Sequence, residues 1–275
     1  MAATEPADIV QLDARHARAG LALSTEVHWN QNEADWLFFL TRGIVFGVLD
    51  KDSRLVASAA LLPYTAREAW ISMVLVTANW RRRGLATRLV DACLATATKL
   101  GLTTWLDATP AGAAVYGPLG FTPTLQLRRL RREPRASAST GAALLSCDLG
   151  EFAARDIGAM GFDRGDLLGE LSGRPASRLV SNGAATALIR DGRVARHVGP
   201  LFADGTQGAL ALVDDIVRGE NKPVLIDAVA SRREFIDGLT GAGWSIERPF
   251  QRMRFGRATA PAAEPPFAVA GPEYG

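Results

Sequence analysis

The chain has 275 residues, of which 48% are hydrophobic and 22% are charged, and its formal net charge is +2. This composition is typical of a globular protein and excludes disordered, fibrous and membrane-spanning classes. The nearly balanced charge argues against broad binding of nucleic acid or anionic membranes, and the length predicts two domains.

The first 76 residues combine a helical region with a run of strands. The stretch "EVHWNQNEADWLFFL" predicts a helix that is capped by Asn32 or Gln31 and ends near Arg42 and Gly43. Strand-like runs separated by turn signals then predict an antiparallel meander. The predicted strands are 44–49, 55–62 and 70–76, after a short apolar run at 9–12 and a helix-loop-helix over 14–40.

The helix after Gly84 has the clearest periodicity in the chain, because apolar residues recur along one face from Leu85 to Leu100. Lys99 and Gly101 are the residue types expected in a last helical turn and just beyond it. Downstream, "TTWLDA" predicts a strand, 111–119 a short helix and "FTPTLQLRRLRR" a final strand. The small and polar residues of "EPRASASTGAA" predict a linker at 133–143.

Short segments of the second half repeat the first half in the same order. The segment "LVDDIV" at 212–217 resembles "LVDACL" at 89–94, and "VLIDAV" at 224–229 resembles "TWLDAT" at 104–109. The segment "GAGW" then follows, as "GPLGF" does in the first half. Three matches in one order predict a duplicated fold, with a first repeat at 1–132 and a second at 144–256.

The residues after the second repeat, 257–275, form a tail rich in proline and alanine. This composition predicts an extended segment. Phe267 and Val269 are expected to fix it to the protein surface.

The segment "VTANWRRRGLATRLV", residues 76–90, joins the end of a strand to three arginines, a glycine and the start of a helix. Free N–H groups in the first turn of a helix, together with the helix dipole, attract an anion. Gly84 allows the backbone to approach a phosphate closely, Ala86 leaves room, and the arginines add positive charge. The pattern predicts a diphosphate site, with a solvated basic helix end or a nucleic-acid patch as the alternative.

The spacing Arg81-x-x-Gly84-x-Ala86 resembles the R/Q-x-x-G-x-G/A signature of the GNAT superfamily of acyl-CoA-dependent N-acyltransferases. Tyr116 stands five residues before Phe121, as a tyrosine does before the Gly-Phe pair of that superfamily. The segments "HWNQNEADW", "DATPAG", "HVGPLFA", "VLIDAV" and "FQRM" resemble more closely a two-domain group whose C-terminal half is a second, degenerate acetyltransferase-like domain. The resemblance implies an α/β (α+β) fold of tandem GNAT-like domains, each a mixed, mostly antiparallel twisted sheet flanked by helices.

The resemblance also implies that acetyl-CoA is the cofactor. Backbone groups at the end of the fourth strand would hold the thioester carbonyl and the pantetheine arm, and the loop amides would hold the diphosphate. Arg81 and Arg83 can instead face the adenosine phosphate or solvent. The implied cofactor-binding residues are Val74, Leu75, Val76, Arg81, Arg82, Arg83, Gly84, Leu85, Ala86 and Thr87.

Three residues are candidates for catalysis. By the resemblance, the hydroxyl of Tyr116 lies near the thioester sulfur and returns a proton to the thiolate. The alternative is a tyrosine that only packs on its helix face. Glu26 and His28 belong to a loop that forms one wall of the amine pocket in the superfamily, and either can deprotonate the ammonium directly or through water.

Aromatic and amide side chains of that loop are candidates for binding the acceptor. Trp29, Asn30 and Gln31 would suit a small polar amine, such as an amino-acid-like substrate. Asp107, at the end of a predicted strand, can contact substrate or cofactor, or it can cap the loop "ATPAG" that follows.

The second repeat lacks the residues of a catalytic centre. The interval 201–212 is shorter than its counterpart 76–89 and holds no arginine, and Leu239 stands where the first repeat has its tyrosine. We therefore expect this repeat to pack against the first and close the acceptor site, without a second centre.

Two groups of charged residues have open roles. Asp227, Arg252 and Met253 either line a cleft shared with the first repeat or are ordinary sheet residues. The five arginines within 128–135 alternate with leucines and are expected on a solvated strand edge before the linker, with anion or nucleic-acid contact as the alternative.

These patterns predict an acetyl-CoA-dependent N-acetyltransferase that acts on a small polar amine by direct attack on the thioester. A non-catalytic acyl-CoA-binding or regulatory module and a protein or peptide acetyltransferase are the alternatives. We expect a monomer or homodimer that binds no nucleic acid and no membrane, and no metal, because Cys93, Cys147 and the three histidines lack ligand spacing. Without a signal-peptide pattern or a long apolar stretch, the expected location is the cytoplasm.

Overall fold

The computed structural model describes residues 8–134, 144–257 and 264–275. The predicted linker from Arg135 onward and residues 258–263 of the predicted tail lie outside these ranges. The chain divides into two compact units, Met1–Trp105 and Leu106–Gly275. This division falls within a strand of the first repeat, so the predicted domain boundaries at 132 and 144, which follow the sequence repeat, stay a prediction.

Eight helices and twelve strands are present in the described residues. The helices are α1 Ala17–Glu26, α2 Glu33–Arg42, α3 Leu85–Lys99, α4 Pro110–Tyr116, α5 Leu149–Met160, α6 Gly165–Ser172, α7 Thr206–Arg218 and α8 Arg233–Gly241. The strands are β1 Ile9–Leu12, β2 Ile44–Leu49, β3 Leu55–Pro63, β4 Glu68–Val76, β5 Thr103–Ala108, β6 Thr122–Arg132, β7 Leu145–Ser146, β8 Arg178–Ser181, β9 Ala185–Asp191, β10 Arg196–Ala203, β11 Val224–Val229 and β12 Ser245–Phe255. None of the described helices is long and apolar enough to cross a membrane.

The predicted elements of the first repeat are confirmed, with small changes at their ends. Helix α2 begins after Asn32 because the Asn32 side chain accepts from the Asp35 N–H at 3.1 Å, while the Asp35 carboxylate accepts from the Asn32 N–H at 2.9 Å. Helix α4 ends at Tyr116, earlier than predicted, because Pro118 lacks the N–H group that would continue it.

The first unit is built on strands β1 to β4 and the start of β5, in that spatial order. Strands β1 to β4 pair antiparallel, as the predicted meander requires, and β4 and β5 pair parallel. Helices α1, α2 and α3 pack on this sheet and bury Trp36, Phe39 and Leu89 completely. The sheet therefore brings the C-terminal end of β4 and the N-terminal end of α3 to one place.

The second unit contains a mostly antiparallel sheet in the order β12-β6-β11-β10-β9-β8-β7. Of its described strand pairs, β10 and β11 alone are parallel. Strand β6 ends the first repeat, yet it lies between β12 and β11 of the second repeat. Its Leu130 is part of the core that β9, β10, β11 and helices α7 and α8 enclose. The two repeats are therefore interleaved in this sheet.

Two of the buried ion pairs in the described part of the second unit join a strand of one repeat to a strand of the other. Arg129 of β6 lies directly opposite Asp227 of β11, and its guanidinium donates to both carboxylate oxygens at 2.8 and 2.7 Å. Arg252 of β12 holds Asp107 of β5 in the same bidentate way, at 2.8 Å to each oxygen. Each arginine is the eighth residue of its strand, so the two pairs are equivalent positions of the duplicated fold.

The expectation of a solvated arginine edge is wrong. Arg129 is 5% exposed, because β6 has a neighbour on each side and is not an edge strand. The other described arginines of this run, at 128, 131 and 132, are half-buried. Asp227 and Arg252 are sheet residues, which was the alternative prediction for them.

The carboxylate of Asp227 has a further partner in the imidazole of His197, whose Nε2 lies 2.9 Å from Oδ2. Burial opposes ionisation of Asp227, but the charge of Arg129 and the hydrogen bond from His197 outweigh it and hold the pKa of Asp227 below its ordinary value. Burial, reinforced by the charge of Arg190, lowers the pKa of His197. Asp227 is therefore ionised and His197 neutral near pH 7.

Replacing Asp227 with asparagine should leave the charge of Arg129 buried without a counter-charge. We expect the free energy of unfolding, measured by urea denaturation, to fall by about 3–5 kcal/mol. The triple variant Arg129→Met, His197→Leu, Asp227→Leu should lose less, because it leaves neither partner of this pair as an unpaired buried charge. Asp214→Asn in the half-exposed pair with Arg218 is the control and should change stability by less than about 1 kcal/mol. Equal stability of D227N and the native chain would contradict this account.

Candidate functional site

The loop between β4 and α3 presents backbone N–H groups with no partner in the protein. Arg82 and Gly84 both have left-handed backbone conformations, with φ of 60° and 72°. Within the described residues, the N–H groups of 82–87 have no hydrogen-bond acceptor. Left-handed residues that alternate in a turn at a helix start form a concave set of donors, which is the geometry that binds an anion.

Arginine side chains surround these donors. Arg81, Arg82 and Arg83 are all exposed. The Nε of Arg81 donates to the Val76 carbonyl at 3.0 Å, and Nη2 of Arg83 donates to the Asn79 carbonyl at 2.9 Å. These bonds keep two guanidinium groups beside the loop, so the region is strongly cationic in a chain whose net charge is small.

Gly84 suits the loop in two ways: through its backbone conformation and through the open space beside it. Its φ of 72° is a conformation that side-chain-bearing residues rarely adopt. A Cβ built on Gly84 would meet no atom within 4 Å, so the space in front of the loop is open. Open space, unpaired amide donors and nearby guanidinium groups fit a diphosphate, and the residues present therefore fit the cofactor that the sequence implies.

The end of β4 has one free edge. A bulge places Met73 and Val74 opposite a single residue of β3, and Met73 has a left-handed φ of 51°. Ser58 stabilises the bulge by donating from Oγ to the Met73 carbonyl at 2.8 Å. The ladder with β5 covers only Glu68–Trp70, so in the described residues of this unit no strand pairs with the other edge of Ile71–Val76. An extended ligand could pair there through backbone hydrogen bonds.

Glu26 anchors the start of the same loop. Its carboxylate accepts from Thr77 Oγ1 at 2.6 Å and from the Ala78 N–H at 2.7 Å. The hydrogen bond from Thr77, followed by that from Ala78, lowers the pKa of Glu26. A carboxylate stabilised in its ionised form is a weaker proton acceptor. These hydrogen bonds therefore weaken the case for Glu26 as the general base.

The other predicted acceptor residues follow α1 in the first unit. His28 is exposed and has a left-handed φ of 57°, and Trp29 is half-buried. Asn30 and Gln31 are both buried, and Oε1 of Gln31 has no hydrogen-bond partner in the described residues. A buried amide oxygen without a donor is costly, so a ligand that donates a hydrogen bond would stabilise it.

Tyr116 and Asp107 belong to the second unit. Tyr116 is the last residue of α4 and is buried, with its ring 5.9 Å from that of Phe121. The side chain of Asp107 is fully buried, and both of its oxygens accept from Arg252. The sequence analysis did not predict Arg252 as the partner of Asp107. The matched aspartates of "TWLDAT" and "VLIDAV" were a signal that this aspartate has the same role in each repeat.

The corresponding loop of the second repeat is short and acidic. Only Asp204 and Gly205 separate β10 from α7. Asp204 is exposed at the N-terminal end of that helix, and Leu239 is buried in the core. A carboxylate at this position repels a diphosphate, which agrees with the prediction of no second centre.

Comparisons with known proteins match both repeats. The protein-family model described as "Acetyltransferase (GNAT) family" matches residues 13–121. A second family model, described as "Acetyltransferase (GNAT) domain", matches residues 153–266. The uncharacterized N-acetyltransferase YitH of Bacillus subtilis (strain 168) is 23% identical over 248 residues, which are 86% of this chain and 87% of that protein.

Solved structures resemble the fold over nearly the whole chain. A putative acetyltransferase from Pyrococcus horikoshii has a TM-score of 0.81 at 18% identity, covering 99% of this chain and 97% of that one. A tandem GNAT protein from the clavulanic acid biosynthesis pathway has a TM-score of 0.65 at 16% identity, covering 92% of this chain and all of that one. The predicted tandem fold is confirmed.

Proposed function

Because the chain belongs to the GNAT acetyltransferase family and is an acyltransferase of that type, we propose that it transfers an acetyl group from acetyl-CoA to a small polar amine. The observation that carries this proposal is the set of unpaired N–H groups at residues 82–87 beside three exposed arginines. Acetyl-CoA, when bound, supplies the activated acetyl thioester.

In this proposal the chain holds the cofactor through two surfaces of the first unit. The amides of 82–87 bind the diphosphate, with charge from Arg81 and Arg83. The free edge of Val74, Leu75 and Val76 pairs with the extended pantetheine arm through backbone groups, as an added strand would. The bulge at Met73 supports this role because it turns backbone groups of β4 out of the regular ladder.

Tyr116 is proposed as the general acid. A phenol can donate a proton to a departing thiolate, because the ordinary pKa of tyrosine is about 10. Its position at the end of a short helix, packed against Phe121, restricts the ring to few rotamers. Simple binding of a cofactor would not require this hydroxyl.

Trp29, Asn30 and Gln31 are proposed to bind the acceptor. The unpaired Oε1 of Gln31 supports this role, because an amine or hydroxyl of the substrate could donate to it. Asp107 is not included, since Arg252 occupies both of its oxygens. The acceptor site then holds amides and an aromatic ring, which suits a small polar amine better than an extended peptide.

Of the two candidate bases, His28 is the one we propose. Glu26 accepts hydrogen bonds from Thr77 and Ala78, and these lower its pKa and weaken its basicity. His28 is exposed, and an imidazole is a suitable base near neutral pH. In this scheme Glu26 positions the loop.

Titration calorimetry of acetyl-CoA into the purified chain should show one binding site. We expect Ala86→Phe to weaken acetyl-CoA binding by at least about tenfold, which corresponds to about 1.4 kcal/mol, because the new ring occupies the space before the loop. Ala95→Phe, on the exposed face of the same helix, should leave the affinity unchanged. Unaltered binding by A86F would overturn the assignment of the loop.

Replacing Tyr116 with phenylalanine should lower kcat by about 100-fold, because a general acid contributes about that much or more. The Kd of acetyl-CoA should change little. The assay is release of thiol with a panel of amines. Cys93 contributes little background, since burial raises the pKa of its thiol to about 12. An unchanged kcat would show that Tyr116 only packs, and loss of binding together with rate would show that the variant disturbs the fold.

Substitution of each candidate base in turn separates the two. His28→Gln should lower kcat/KM, measured with the amine panel, by about 100-fold, because a general base contributes about that much or more. Glu26→Gln keeps one acceptor oxygen for the loop and should retain most of kcat/KM. The opposite pattern would transfer the role of base to Glu26.

A further inference from the structure

The second repeat contains a gap between two parallel strands. β10 and β11 pair only at Arg196–Val198 and Val224–Ile226. Immediately after this ladder, β10 carries two residues, Gly199 and Pro200, opposite a single residue of β9. A bulge of this kind bends the strand. Beyond the bulge, β10 and β11 are two strand spacings apart, about 10 Å.

The tail of the chain fills this gap as a short extra strand. On the β10 side, the Phe267 N–H donates to the Leu201 carbonyl at 2.8 Å, and the Leu201 N–H donates to the Ala268 carbonyl at 2.9 Å. On the β11 side, the Val229 N–H donates to the Phe267 carbonyl and the Val269 N–H to the Asp227 carbonyl, each at 3.0 Å. Ala268 thus forms bridges to both strands.

Most residues of the described tail, 266–271 and 273–275, are buried. Phe267 is buried against Phe235, with ring centroids 5.3 Å apart, and the guanidinium of Arg232 lies 4.3 Å from its ring. Ala268 is completely buried. A Cβ on Gly199 would lie 2.0 Å from the Val269 carbonyl oxygen, so β10 has a glycine where the tail passes closest. Phe267 and Val269 do anchor the tail, as expected, but they do so within the protein core and not on its surface.

The far end of the tail is held by charged groups. Glu273 forms a buried ion pair with Arg190 of β9, whose guanidinium also lies 5.3 Å from the ring of Tyr274. Arg164 forms a buried ion pair with Asp156 and donates to the carbonyl oxygens of Tyr274 and Gly275. Docking of the tail is therefore specific over residues 267–275.

The first repeat has a similar strand arrangement. Its parallel ladder between β4 and β5 is also three pairs long, and β4 also carries a bulge just beyond it. Among the described residues of the first unit, no other strand pairs with this edge of Ile71–Val76, where the Arg81 side chain donates to the Val76 carbonyl. Within that unit the edge after the bulge thus has no added strand, whereas in the second repeat the tail supplies one.

We propose that residues 267–270 are a permanent intramolecular occupant of the second repeat's counterpart of the pantetheine channel. They make the backbone contacts that an acyl-pantetheine arm would make and close this repeat to such ligands. The inference rests on the proposed function, in which the matching edge of β4 holds the cofactor. The short, acidic loop at Asp204 agrees with it, since a repeat whose channel is filled by protein needs no cationic diphosphate loop.

Amide hydrogen exchange of the full-length chain tests whether the tail occupies the gap. The N–H groups of Leu201 and Val229 donate to tail carbonyls, so Ala268→Trp, which cannot fit between the strands, should make both amides exchange at least about tenfold faster. Glu264→Trp, at an exposed position of the same tail, should leave them protected. Phe267→Ala, a milder change, should give an intermediate rate if the tryptophan variant fails to fold.

Titration with acetyl-pantetheine, followed by NMR of the same two amides, tests what the gap accepts. In the native chain the Leu201 and Val229 signals should not shift, and in A268W they should shift saturably. Unchanged exchange in A268W, or freed amides that acetyl-pantetheine does not shift, would overturn the proposal. Failure of the native chain to bind acetyl-CoA would instead refute the proposed function of the first repeat, because the exchange result does not depend on that binding.

Discussion

The buried pair of Arg129 and Asp227 is the interaction on which the second unit depends. It joins the last strand of the first repeat to the fifth strand of the second, directly across the ladder. A bidentate guanidinium can satisfy both oxygens of a carboxylate only when the strand register is correct. The pair therefore specifies one register for β6 between β11 and β12, where a slip by one residue would turn every side chain to the opposite face.

The same carboxylate connects this pair to the tail. Asp227 accepts from Arg129 and His197 through its side chain, and its backbone carbonyl accepts from the Val269 N–H. The tail in turn reaches Arg190 and Arg164 on neighbouring elements. A continuous polar network thus passes through an otherwise apolar core, and such networks favour a single arrangement because each unpaired member would be costly.

The sequence predicted most of the local structure and much of the candidate site. Periodicity identified α3 and the meander, and the cap at Asn32 was readable from residue type. The arginine and glycine spacing indicated the loop at 81–87. Prediction from local patterns failed where a residue's partner lies far away in sequence. The alternating arginines and leucines of β6 are typical of an exposed edge strand. Arg129 is buried because it pairs with Asp227, 98 residues later. The tail was misjudged for the same reason, because a run of small apolar residues does not show where it docks.

Interleaving of the repeats explains what the second repeat, which has neither a cationic loop nor a counterpart of Tyr116, contributes to the fold. A chain cut at residue 132 would leave β6 with two unpaired edges, and unpaired strand edges promote aggregation. The second repeat therefore supplies both neighbours of the strand that ends the first. Fragments cut at the boundaries of the sequence repeat would separate strands that pair with each other in one sheet.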